Sequence, residues 1–315
     1  YLYRFLITHG SPNYGHSGIC GMQRIFTISY MFGGVPFPDY DGAELIMIWG
    51  KQPVFSGASR NSVSSLIAAK ERGCQFITIK PTLEPDGAVT NSLWVPVRPG
   101  TDAALALAML NVVINENLCD NAFVKEWCYG FDRLKDHVQQ YTPAWAEKIT
   151  GVAASQIRQV ARLYAKTPKA AIDCGNGLEH SPSANDAHRA ICSLMAITGH
   201  LDKPGTNVWP AGSNMPMPRG VHMTERYTQE WVDKLVGYEF PPEFQPAHEG
   251  TSASLYRLFD SVLTGKKYPI RAIIAPGSQA IASTRGTKRI IEALKKLEFF
   301  VILDTTRTSD MSYAD

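Results

Sequence analysis

The sequence predicts an α/β fold in which helices cover both faces of mainly parallel, doubly wound sheets. Two observations carry this. Short uninterrupted apolar runs recur along the chain, and helix-period segments separate them. Runs without polar alternation suit strands buried on both faces, as in parallel sheets, and alternating strands and helices argue for βαβ units.

The runs are Leu45–Trp49, Gln75–Ile79, Ala170–Cys174, residues 272–275 and Phe299–Leu303. Residues 59–72 form a helical segment before the second run. Thr101 and Asp102 offer an N-cap, followed by Ala103, Leu107, Leu110 and Val113 on one helical face. Residues 154–165, 186–198 and 287–296 show the same periodicity. Residues 199–249 differ: prolines are frequent and helical pattern is weak, which marks a long ordered connection. The reading is therefore two Rossmann-like domains, residues 1–205 and residues 206–315, the second beginning with the proline-rich connection and truncated. The chain opens at Tyr1 and closes at Asp315 just beyond a strand-like run, as expected of a piece excised from a longer polypeptide.

Composition narrows the function. A hydrophobic fraction of 44% and a charged fraction of 19% are those of a globular protein with a substantial core. A net charge of +2, without basic runs interleaved with aromatics, argues against a nucleic-acid partner. No apolar stretch approaches the roughly 20 residues of a membrane span, so direct membrane insertion is not expected. The six cysteines, Cys20, Cys74, Cys119, Cys128, Cys174 and Cys192, form no CxxC pair. A zinc site or iron–sulfur cluster built within this chain is accordingly not expected.

Several strand ends lead into glycine turns: Trp49-Gly50-Lys51-Gln52-Pro53, Cys174-Gly175-Asn176-Gly177, Gly212-Ser213-Asn214 and Pro276-Gly277-Ser278-Gln279. Glycine lets backbone approach a ligand closely, and open α/β sheets bind ligands at the carboxyl ends of their strands. A single such turn is usually only a turn; the recurrence points to nucleotide binding at more than one place. Neither GxGxxG nor GxxxxGK[ST] is present, which counts against an ordinary nicotinamide fold and against an ATPase. Lys80-Pro81-Thr82 follows the second run, where an acidic residue commonly meets a nucleotide ribose.

Cys20 stands alone in "HGSPNYGHSGICGMQR", a stretch rich in turn formers. Together with this loop, an ordered series of segments covers nearly the whole chain. It comprises Leu45 to Pro53, "VPVRPGTD" to Asp102, "NVVINENLCDNAFVKEWCY", Gly175 to His180, "SLMAITGHLDKPGTNV", Gly212 to Asn214, residues 272–283 and residues 301–315. This series resembles the molybdopterin oxidoreductases of the dimethyl-sulfoxide-reductase superfamily.

The resemblance implies a two-electron redox enzyme of anaerobic respiration, transferring oxygen or sulfur atoms to or from a small-molecule substrate. It implies molybdenum or tungsten held by two molybdopterin guanine dinucleotides, with Cys20 as the protein ligand. A soft thiolate suits a sulfur-rich metal centre. Gly50, Lys51 and Gln52 beside Trp49, with Gly100, Thr101 and Asp102, correspond to contacts with one dinucleotide. The Asp102 carboxylate is placed to accept from a guanine edge while capping its helix. Gly175, Gly177, Gly277, Ser278, Gln279 and Ser283, with Asp304 and Thr306, correspond to contacts with the other, and Gly212, Ser213 and Asn214 come close to the metal. His180 and Glu179 point to the substrate funnel; Gln23 and Arg24 are candidates for substrate or pterin contact. A 4Fe-4S cluster is expected only in an N-terminal region this chain lacks, and an iron–sulfur electron-transfer subunit is the expected partner.

Two departures matter. Lys80-Pro81-Thr82 stands where many members carry Asp-Pro-Arg, and Gly21 stands where formate-oxidising members carry histidine, which argues against formate. The rival readings are a catalytically silent fragment unable to hold cofactor alone and a nicotinamide-dependent dehydrogenase, the latter predicting one bound dinucleotide.

Overall fold

A computed structural model describes residues 2–16, 21–56, 63–83, 92–209, 228–236 and 252–315. The chain divides into two compact units, residues 19–213 and residues 1–18 together with 214–315. Residues 1–18, grouped by sequence with the first domain, join the other unit because strand Tyr14–His16 pairs in parallel with Ser252–Ser254.

The unit 19–213 is built on a four-stranded parallel sheet in the order Leu93–Val95, Gln75–Ile79, Leu45–Trp49, Ala170–Cys174. In chain order this is third, second, first, fourth, so the direction of winding reverses between Leu45–Trp49 and Ala170–Cys174. All five residues of the central strand are buried. Leu45, Met47 and Trp49 face a core shared with the helices Asp102–Asn115, Ala154–Lys166 and Ala184–Ile197. Ile46 and Ile48 face the opposite core, with Leu66 and Ala69 of helix Val63–Glu71. The period-two geometry of a strand thus serves two cores at once, which is why the run contains no polar residue. Full burial of each such side chain stabilises by about 1.5–3 kcal/mol, enough to fix the strand end from which Gly50 departs.

The Asp102–Asn115 helix is buried on nearly every side rather than along one stripe. Thr101 occupies its N-cap position without a side-chain cap, donating its hydroxyl instead to the Arg98 carbonyl at 2.7 Å. Other helix ends follow sequence rules. Asp120 accepts from the Phe123 amide at 3.0 Å, Thr142 accepts from Trp145, and Gly151 closes its helix at φ 76°. The Asn207 side chain completes the outer edge of Ala170–Cys174. It accepts from the Ile172 amide and donates to the Ile172 carbonyl, both at 2.8 Å. One carboxamide thereby satisfies backbone groups that an edge strand leaves open.

In the other unit, Ala272–Pro276 and Phe299–Leu303 pair in parallel. They pack with helices Leu255–Thr264 and Thr287–Lys296 around Phe259, Val262, Ile290 and Phe300. Among the described residues, no helix is long and apolar enough to cross a membrane.

Candidate functional site

The reversal of winding places two loops side by side. Gly50 leaves the central strand at φ 59°, a left-handed conformation suited to glycine. Gly175 donates its amide to the Trp49 carbonyl at 2.8 Å, and Gly177 donates to the Gly50 carbonyl at 2.9 Å. The loops are in backbone contact: a Cβ on Gly175 would lie 2.4 Å from the Gly50 oxygen, and one on Gly177 would lie 2.8 Å from it. Gly50, Lys51, Gly175 and Gly177 form one wall of a cleft of about 700 Å³, which Arg24 and Lys80 also line. That size is in the range of pockets for cofactors and small ligands, at the place where open α/β sheets bind them.

The cleft wall is largely apolar, with Ile25, Ile28, Val35 and Phe37 among its lining, and its charged groups are more positive than negative: Arg24, Lys51 and Lys80 line it, with Asp173 as their acidic counterpart. Lys51 Nζ donates to both Asp173 oxygens at 2.7 Å, and the Tyr40 hydroxyl donates to Asp173 Oδ2 at 2.7 Å. Asp173 sits on the strand itself, so its carboxylate fixes the Lys51 ammonium at the floor of the cleft.

The Arg24 guanidinium donates to the Cys174 carbonyl and lies 3.7 Å from Glu179, whose side chain is fully buried. Burial raises the Glu179 pKa; the nearby Arg24 charge and the Gly21 amide oppose that shift. Neither Glu179 oxygen has a hydrogen bond of normal geometry, and the same holds for Gln23 Oε1 and both ring nitrogens of His188. Buried polar atoms are rarely left so without a ligand or water to meet them. Gln23 and Arg24 lie on helix Met22–Phe32, which begins at Gly21, directly after Cys20.

Not every predicted contact gathers here. Gly50 to Gln52 stand at the cleft with Gly175 and Gly177, although the sequence reading divided these loops between two dinucleotides; Trp49, fully buried in the core, does not line it. Asp102 is turned inward: it is 7% exposed, and the Trp49 indole donates to it at 2.8 Å, so that oxygen is occupied by protein. Burial raises its pKa, and the Trp49 bond opposes the rise. Gly100, at φ 78°, faces Ser181, and its carbonyl accepts from the Ser183 hydroxyl at 3.3 Å. His180 is exposed. Cys20, Gly212, Ser213 and Asn214 lie outside the described residues.

In the second unit, Gly277 turns the end of its strand at φ 60°, with open space where a Cβ would stand. The Ser278 hydroxyl donates to Asp310 at 3.0 Å, and Ser283 donates to the Gln279 carbonyl at 2.8 Å. Asp304 accepts from the Thr306 amide at 3.0 Å, which lowers its pKa. The residue that organises this turn, Asp310, was not among the predicted ones. Fully buried, it also accepts from the Ala280 and Ile281 amides, at 2.6 and 3.0 Å. Asp310→Ala leaves two amide donors without their acceptor, and a destabilisation of about 1–3 kcal/mol is expected. Faster hydrogen exchange at Ala280 and Ile281 would register it; unchanged exchange would show that Asp310 does not hold the turn.

Burial raises the thiol pKa of Cys74 and Cys119 to about 11 and of Cys174 to about 12, and raises those of Cys128 and Cys192 too. These five are neutral thiols, not thiolates prepared for a metal. Among the described residues there is no group of three or more His, Cys, Asp or Glu side chains that could hold a metal ion.

Comparison with known proteins bears on this site. Residues 10–315 match the family model described as molybdopterin oxidoreductase. Acetylene hydratase of Syntrophotalea acetylenica is 29% identical over 343 aligned positions, covering 100% of this chain and 46% of that protein. Dimethyl sulfoxide reductase DmsA of Escherichia coli is 28% identical, covering 91% of this chain and 38% of that protein. The solved structure of acetylene hydratase from Pelobacter acetylenicus superimposes with a TM-score of 0.82 at 26% identity, over 99% of this chain and 46% of that one. The chain thus spans less than half the length of these relatives.

Proposed function

The chain belongs to the molybdopterin oxidoreductase family, of the dimethyl-sulfoxide-reductase type, and we propose that it is the central portion of a two-electron molybdenum or tungsten enzyme. The observation that carries the proposal is the cleft at the reversal of winding, where two glycine loops and three basic side chains converge. The basic side chains, with glycine loops that let backbone approach a ligand closely, fit a group that carries phosphates. We read each unit as Rossmann-like, the first held by residues 19–213 and the second completed by polypeptide beyond this chain.

In this reading the Gly50–Gln52 and Gly175–Gly177 loops hold the nucleotide end of a pterin guanine dinucleotide. Lys51, oriented by Asp173, meets a phosphate, and Arg24 joins this loop pair to the helix that follows Cys20. Gly277 to Gln279 hold the second dinucleotide. A molybdenum or tungsten centre bound here would supply two-electron redox chemistry, with oxygen- or sulfur-atom transfer. Cys20 would hold the metal as a thiolate, and Glu179 with His180 would border the approach of a small substrate. An iron–sulfur electron-transfer subunit would exchange electrons with such a centre.

Metal and nucleotide analysis of the full-length protein, purified without oxygen, tests this. Molybdenum or tungsten with guanine nucleotide released on acid treatment is expected; a bound nicotinamide and no metal would favour a dehydrogenase instead. Cys20→Ala is expected to abolish turnover, and undiminished turnover would remove Cys20 from the mechanism.

A further inference from the structure

Helix Met22–Phe32 starts without a cap of its own. Its N-cap residue is Gly21, at φ 79°, which has no side chain to accept from the first amides, and the first turn contains no acidic residue. Helix starts ordinarily hold a side-chain oxygen or a carboxylate at that place. Here the carboxylate comes from far along the chain. Glu179 follows the short turn Asn176–Leu178 beyond strand Ala170–Cys174. Its side chain is fully buried, and neither oxygen has a hydrogen bond of normal geometry. Burial works against the ionised form, and the groups that favour it are the Arg24 guanidinium, at 3.7 Å, and the Gly21 amide. Arg24 belongs to the helix's first turn, where one of its nitrogens would lie 3.3 Å from a Cβ on Gly21. The same guanidinium donates to the Cys174 carbonyl at the end of the strand. The first helical bond, from the Ile25 amide to the Gly21 carbonyl at 2.8 Å, is thus flanked by attachments to the strand end.

Resting on the proposed reading of Cys20 as a metal ligand, we infer that Glu179 is a positioning residue. It caps helix Met22–Phe32 from another part of the chain and, with Arg24, fixes the backbone at Gly21, which follows Cys20 in sequence. That anchor sets the direction from which the Cys20 thiolate reaches its metal, a role beyond the place of Glu179 at the approach of a substrate.

Two variants of the intact, anaerobically purified protein test this. Glu179→Met keeps the size of the side chain and removes its acceptors; Glu179→Gln keeps one acceptor and removes the charge. Hydrogen exchange at the Gly21 and Ile25 amides is expected to quicken by about tenfold or more in Glu179→Met, the scale of a lost cap, and by less in Glu179→Gln. The paramagnetic resonance spectrum of the partly reduced metal is expected to change in Glu179→Met and to return toward the parent's in Glu179→Gln. A loss of helix stability alone would not move that spectrum. Faster exchange with a parental spectrum overturns the positioning role and leaves Glu179 a structural cap, whereas parental exchange overturns the cap itself. If the parent holds no molybdenum or tungsten, or if Cys20→Ala keeps the parental spectrum, the reading of Cys20 falls and the positioning role falls with it. Glu179→Ala gives the same comparison should the methionine variant fail to fold.

Discussion

Gly175→Ala is expected to open the cleft wall and lower the stability of the 19–213 unit by about 1–3 kcal/mol, the range for overpacking a closed site. The reason is close approach, not backbone conformation. Gly175 has φ −120°, which any residue can adopt. Its added methyl, however, would fall 2.4 Å from the Gly50 oxygen and 2.6 Å from Lys51 Cα. Both are backbone atoms of the facing loop, so no side-chain rotation relieves the clash. The loops must separate, breaking the 2.8 Å bond from Gly175 to the Trp49 carbonyl. Thermal unfolding together with guanine-nucleotide content checks this. A lower midpoint with reduced nucleotide is expected, and a parental midpoint would show that the loops are not in contact.

Asp173→Leu is expected to cost more, about 3–5 kcal/mol, because it removes one partner of a buried ion pair and leaves the other charge behind. Side-chain exposure is 14% for Lys51 and 6% for Asp173, so water cannot fully replace the lost carboxylate. The Tyr40 hydroxyl also loses its acceptor. Adding Lys51→Met to Asp173→Leu removes the ammonium that Asp173 held and is expected to recover much of the loss. Denaturant unfolding of the parent, both single variants and the double variant yields the coupling directly. Additive effects would mean that the two side chains do not meet.

Legibility followed burial. Leu45–Trp49, Gln75–Ile79, Ala170–Cys174 and Phe299–Leu303 take the bounds read from sequence, and Leu45–Trp49, which lies between two cores, is apolar throughout. Leu93–Val95 was missed: three residues are too few to show a period, and their strand exists by pairing with Gln75–Ile79. The loops at the cleft were legible from their glycines, but their mutual contact was not, since residues 50 and 175 are brought together only by sheet order. Asp102 illustrates the limit in the other direction. Its position before a helix suggests a cap or a ligand contact, and only the fold shows the Trp49 indole already bonded to it. Asp310 and Asn207 gave no local signal at all. Each acts by satisfying backbone groups that are distant in sequence, Ile281 and Ile172 among them.

The central proposal is that Cys20 supplies a sulfur ligand to a molybdenum or tungsten centre. X-ray absorption at the metal edge of the intact, anaerobically purified protein, compared with Cys20→Ala, tests it most directly. The account predicts a shell of sulfur neighbours from pterin and protein that shrinks by one sulfur in the variant. An identical sulfur shell in both proteins, or no molybdenum or tungsten edge in either, would contradict it.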